Sequence, residues 1–153
     1  MAIDKAEWQY DSTMKIYCEK NGKILDDLTE DDEDIIWDCA GNHIAFFITW
    51  LIRRDHIGDL HHEEESEEQE LEDVKKQQKT GMDIFKKYCD MCFTREDVAD
   101  DILPFVEKYY DEYMDDYSRI MGDSRILSTS FVWDDYLKVE EAIDEAYRNY
   151  VAG

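Results

Sequence analysis

Proline is almost missing from this 153-residue chain, which has one, and glycine is scarce at six. Turn-rich β-sandwiches and barrels need more punctuation than that, so the shortage points to helices. Basic residues are few as well: 17 lysines and arginines stand against 40 aspartates and glutamates, a formal net charge of −23. A field of that sign repels nucleic acid and anionic membranes, and neither is expected as a partner. No apolar run is long. The longest, residues 44–52, is about half of the roughly 18 residues a membrane span needs. The opening "MAIDKAEWQY" has neither the basic nor the apolar region of a signal peptide, so a cytoplasmic location is expected. Cysteine is limited to Cys18, Cys39, Cys89 and Cys92, and free thiols are the expectation in that compartment.

What is present is a core. Apolar residues make up 43 % and aromatics 13 %, enough for one domain over residues 1–153. Residues 1–33 read as an arm followed by an acidic loop, and 38–153 as the helical core. In the arm, Trp8, Tyr10, Ile16 and Cys18 alternate loosely, and Asn21-Gly22 is a hairpin-type turn signal. A first helix is expected over about 38–54, where Ile44, Phe47, Ile48 and Leu51 recur at helical spacing. A second follows the acidic run from Glu63, with lysines at its end in the order the helix dipole favours. Thr80 can cap a short third helix reaching Tyr88.

Thr94 and Asp97 form a capping box. Beyond it a long helix over about 103–121 carries Tyr109, Tyr110, Tyr113 and Tyr117 on one face and Asp111, Glu112, Asp115 and Asp116 on its flank. A last helix over about 134–151 turns Tyr136, Leu137, Val139, Ile143, Tyr147 and Tyr150 inward. Between these two, "SRILSTSFVW" leans toward β-structure. The expected fold is therefore mainly α: one compact helical domain of about five helices, with a small β-hairpin from the N-terminal arm and residues 125–132.

Chemical motifs are weak. The histidines are His43, His56, His61 and His62, and no H-E-x-x-H occurs. His61 and His62 are adjacent, so on a helix they diverge by about 100°. No metal and no cofactor are expected. Cys89-x-x-Cys92 falls at the end of a short helix, the wrong end for a reactive thiol, and reads as small buried hydrophobes. No nucleophile elbow and no glycine-rich phosphate loop appears, so no catalytic residues are assigned. His43 sits on an apolar helix face. It reads as a core histidine hydrogen-bonded to Asp90 or to a tyrosine hydroxyl near Tyr110.

Several motifs recur in a fixed order. They are Trp8-x-Tyr10, "AGNHIAFFITW" from Ala40 to Trp50, "TGMDIFKKYCD" from Thr80 to Asp90, "FTRED" from Phe93 to Asp97, "FVEKYYDEYMDDY" from Phe105 to Tyr117, and "WDDY" from Trp133 to Tyr136. This order resembles a family of small acidic bacterial proteins catalogued as a domain of unknown function, whose members look like immunity proteins of polymorphic toxin systems. The resemblance implies a cytoplasmic antitoxin that occludes a cognate toxin domain, one with a basic active-site cleft. His43, Trp50, Asp90, Asp97, Tyr110 and Tyr117 match family positions, and His43, Trp50, Asp90, Tyr110 and Tyr117 of these are expected to form its structural core. The acidic residues Glu63, Glu64, Glu65, Glu67 and Glu68, with Asp111, Glu112, Asp115 and Asp116, are the candidate partner surface, and His61 and His62 belong to that solvated half. Two other readings stand beside this one: an acidic nucleic-acid mimic that titrates a DNA-binding protein, and a small metal-dependent enzyme built around His43.

Overall fold

The computed structural model describes residues 2–153. In chain order the elements are β1 (Ala2–Lys5), α1 (Glu7–Asn21), α2 (Glu30–Ala40), α3 (Asn42–Arg53), α4 (Glu65–Lys75), α5 (Gly81–Tyr88), β2 (Cys92–Thr94), α6 (Leu103–Met121) and α7 (Trp133–Ala152). Short 3-10 turns lie at Leu25–Asp27, Asp59–His62 and Arg95–Asp97. The fold is mainly α, as the sequence indicates, with seven α-helices among the described residues rather than about five.

The centre of the molecule is α3. Residues 42–52 are all buried, so this helix is apolar on every face and wrapped by its neighbours. Phe46, Phe47 and Trp50 meet aromatic rings from α6, α7, β2 and the segment before α7. The expected helix over 38–54 is in fact the end of α2 joined to α3, bent by 59° at Gly41. A side chain at Gly41 would press on Phe85, Met91 and Ala6 at 3.1–3.3 Å, so the bend brings these elements together only around a glycine. No single helix is long and apolar enough to cross a membrane.

The expected acidic loop before residue 34 is the start of α2. Thr29 Oγ1 accepts from the backbone N–H of Asp32 at 3.2 Å, and Asp32 accepts in return from the Thr29 N–H at 2.9 Å. Glu30, Asp31, Asp32 and Glu33 fill the first turn, where the helix dipole favours negative charge. Acidity here is a helix signal rather than a loop signal.

The expected small β-element is present and the N-terminal arm supplies one of its strands, but residues 125–132 do not supply the other. β1 does form a two-stranded antiparallel sheet, but with β2, pairing Asp4 with Phe93 and Lys5 with Cys92. Residues 125–132 form no strand. Phe131 instead turns into the core against Phe46 and stacks on Tyr136, with ring centroids 4.9 and 5.9 Å apart. Burial of that ring overrides local β-propensity. The alternating residues 8–18 lie within α1, and Gly22 (φ 62°) closes that helix instead of turning a hairpin. Both uses of Asn-Gly exploit the same left-handed backbone. On α7, Leu137 and Tyr150 face solvent rather than the core.

Candidate functional site

Two buried polar networks and a groove between two helices bear most directly on what the described residues can do. The first network joins β1, α3 and α6. His43 Nε2 lies 2.9 Å from Asp4 Oδ2, and the Tyr110 hydroxyl donates to the same oxygen at 2.8 Å. Asp4 Oδ1 accepts from the Lys5 backbone N–H at 2.8 Å. The Tyr113 hydroxyl donates to the His43 carbonyl at 2.5 Å, and Asn42 donates to the Tyr117 hydroxyl at 2.8 Å. Asp4, His43, Tyr110, Tyr113 and Tyr117 are all buried. Burial pushes the Tyr110 and Tyr113 hydroxyls well above their ordinary range, so they act as neutral donors.

Four of the five positions expected to form the structural core are therefore pinned in the interior. Trp50 is the fourth: its indole N–H donates to Asp144 at 2.8 Å, and that carboxylate also takes Arg54. Asp90 is the exception. It is exposed, with a left-handed φ of 51°, and Asp4 takes the place beside His43 that the sequence reading offered to it. Asp4 is the strand residue whose side chain turns inward beside His43; sequence separation hid it.

The second network lies where the acidic partner surface was expected. His61 is 0 % exposed, not solvated. The turn Asp59–His62 points its ring inward, between the Glu67 carboxylate on Nδ1 and Asp97 Oδ1 at 2.8 Å from Nε2. Cys89 closes the group, its Sγ 3.7 Å from the same Asp97 oxygen. Asp97 Oδ2 is fixed separately by the Thr94 N–H at 2.8 Å, completing the expected capping box, which opens a 3-10 turn here. Burial alone would lower the His61 pKa, but the Asp97 and Glu67 carboxylates outweigh it and raise the pKa. Burial pushes the Cys89 thiol far up. His61, Cys89 and Asp97 each offer a ligand atom within 4.8 Å of the others.

Glu67 thus leaves the candidate partner surface, since it is buried against His61. Glu63, Glu64 and Glu65 stay exposed, and the half-exposed Glu68 pairs with His62. Glu70 is buried too, holding Lys79 at 2.7 Å, Lys87 at 3.1 Å and the Tyr88 hydroxyl. Burial opposes its ionisation, yet these partners hold its carboxyl down to about 2.

The groove runs between α6 and α7, with a volume of ≈ 410 Å³. Phe105, Tyr109 and Tyr150 line it with aromatic surface, and Glu112, Asp116 and Glu145 give it acidic edges. Lys108 and Arg119 also border it. Asp116 is oriented by the Tyr109 hydroxyl at 2.6 Å and by Arg119 at 3.2 Å. Asp111 and Asp115 are exposed but do not line it.

A family model described as Domain of unknown function (DUF7832) matches residues 2–131. The chain belongs to that family. No curated protein and no solved structure matches it. The DUF7832 match takes in both buried networks, with Asp4, His43 and Tyr110 in one and His61, Glu67, Cys89 and Asp97 in the other. It stops short of α7, so one wall of the groove lies within the match and the other beyond it.

Proposed function

We propose that this DUF7832 protein is a stoichiometric antitoxin of the immunity-protein type, acting in the cytoplasm by covering the basic active-site cleft of a cognate toxin domain. The observation that carries the reading is the α6–α7 groove, an aromatic floor edged by Glu112, Asp116 and Glu145 on a chain of net charge −23. A lysine or arginine from a partner would lay its apolar stem along the exposed Tyr150 ring and its charged head against the carboxylates. The overall field speeds the encounter, and the groove supplies geometry. Exposed Glu63, Glu64 and Glu65 form a separate acidic stretch at the start of α4.

The test is binding to a toxin domain, sought among the products of the neighbouring genes, measured by surface plasmon resonance at low and high salt. Association is expected to slow strongly as salt rises. The double variant Glu112→Lys with Glu145→Lys should associate at least about tenfold more slowly at low salt, with the fold unchanged by circular dichroism. Binding that ignores both salt and these substitutions defeats the proposal.

A further inference from the structure

The second buried network has an arrangement that an ordinary core histidine does not need. Three short elements converge on one point: the turn before α4 brings His61, the end of α5 brings Cys89, and the turn after β2 brings Asp97. The imidazole faces a carboxylate at each nitrogen. A neutral ring has one N–H and one lone pair, so one of those carboxylates would meet a lone pair. Each of the two gaps between ring nitrogen and carboxylate must therefore hold a proton or a metal cation, the Nε2–Asp97 gap among them. The thiol of Cys89 lies beside the same oxygen.

We propose that His61 Nε2, Cys89 Sγ and Asp97 Oδ1 are ligands for one divalent transition-metal ion of the zinc class, with Glu67 as the carboxylate that orients the imidazole from Nδ1. A mixed nitrogen, sulfur and oxygen set suits zinc or cobalt and does not suit calcium or magnesium, which take oxygen. In a tetrahedral zinc site ligand atoms stand roughly 3.3–3.7 Å apart, given bonds of about 2.0–2.3 Å. The Sγ–Oδ1 separation of 3.7 Å already fits that spacing. The Nε2–Oδ1 separation is 2.8 Å and opens by roughly half an ångström on binding. Asp97 is well placed to present a single oxygen, because Thr94 holds the other. A carboxylate on the far nitrogen of a ligating histidine is the usual supporting arrangement. Three protein ligands leave a fourth position for water. Loading displaces the thiol proton, and any proton held between Nε2 and Asp97, in exchange for one divalent charge.

The chain carries 40 acidic residues, so the readout must be specific to the thiolate rather than to carboxylates at the surface. Full-length protein stripped with chelator is titrated with Co²⁺. The expected result is a thiolate-to-cobalt charge-transfer band that saturates at one equivalent and is displaced by Zn²⁺. Cys89→Ser should abolish the band, and Cys92→Ser should leave it. Zn²⁺ should raise the Tm of the wild-type chain but not that of Cys89→Ser. If Cys89→Ser does not fold, the wild-type titration decides alone. Absence of a saturable band in the wild type, its survival in Cys89→Ser, or its loss in Cys92→Ser overturns the assignment.

Discussion

Asp4 shows what a single side chain does in this molecule. One of its oxygens serves both His43 and Tyr110. Tyr110→Phe keeps the ring packing and removes one donor from a buried carboxylate. It should cost about 1–3 kcal/mol, read as a lower urea midpoint with an unchanged slope. Glu70 gives a pH signature. Its folded pKa lies below the unfolded value, so its contribution is complete at neutral pH and above. That contribution is lost as pH falls from the ordinary glutamate range through about 2. In urea unfolding from pH 7 down to pH 3, Glu70→Gln should therefore lose less stability than the wild type. A variant that loses as much would show that the Lys79, Lys87 and Tyr88 contacts do not hold the charge. Spacing along the helices was enough to place His43, Trp50, Tyr110 and Tyr117 inside. It could not supply Asp4 or Asp144, which lie 39 and 94 residues from His43 and Trp50. His61 was misplaced for a related reason: the acids beside it read as solvated, and its anchor Asp97 is 36 residues away.

At the scale of elements, caps were the most legible feature. Thr80 with Asp83 and Thr94 with Asp97 both form the reciprocal bonds their spacing suggests. Turn and strand signals were less legible, because Asn-Gly closes a helix as readily as it turns a hairpin, and a β-leaning segment such as 125–132 pairs only where an edge is free. The tightest joint is between α3 and α5. The Gly81 N–H donates to Thr49 Oγ1 at 3.0 Å, and a Cβ there would run into the Thr49 side chain and the Ala45 carbonyl. Gly81→Ala would normally favour a helix, yet here it forces two helices apart. It should destabilise by about 1–3 kcal/mol or more, measured by thermal unfolding, whereas an alanine at Gly122 meets no neighbour and is opposed only by the left-handed backbone there (φ 85°).

For the molecule as a whole, the charge sets two opposite responses to salt. Forty acids against 17 basic residues make the folded chain repel itself, so added NaCl should raise its Tm while weakening its grip on a basic partner. Calorimetry across an ionic-strength series checks the first half, and a Tm that falls with salt would show that the ion pairs dominate instead.

The all-round burial of α3 has a further consequence, for the order in which the chain opens. Of the twelve residues of α3, eleven are out of solvent, whereas α1 buries only Thr13. Amide protons of α1 can exchange through local fraying, but those of α3 are released only when the surrounding helices come away together. Hydrogen–deuterium exchange should therefore find α3 slowest, its rate reporting the free energy of global unfolding. A partner seated between α6 and α7 would slow exchange in the outer helices through contact, and in α3 only by making the whole molecule more stable.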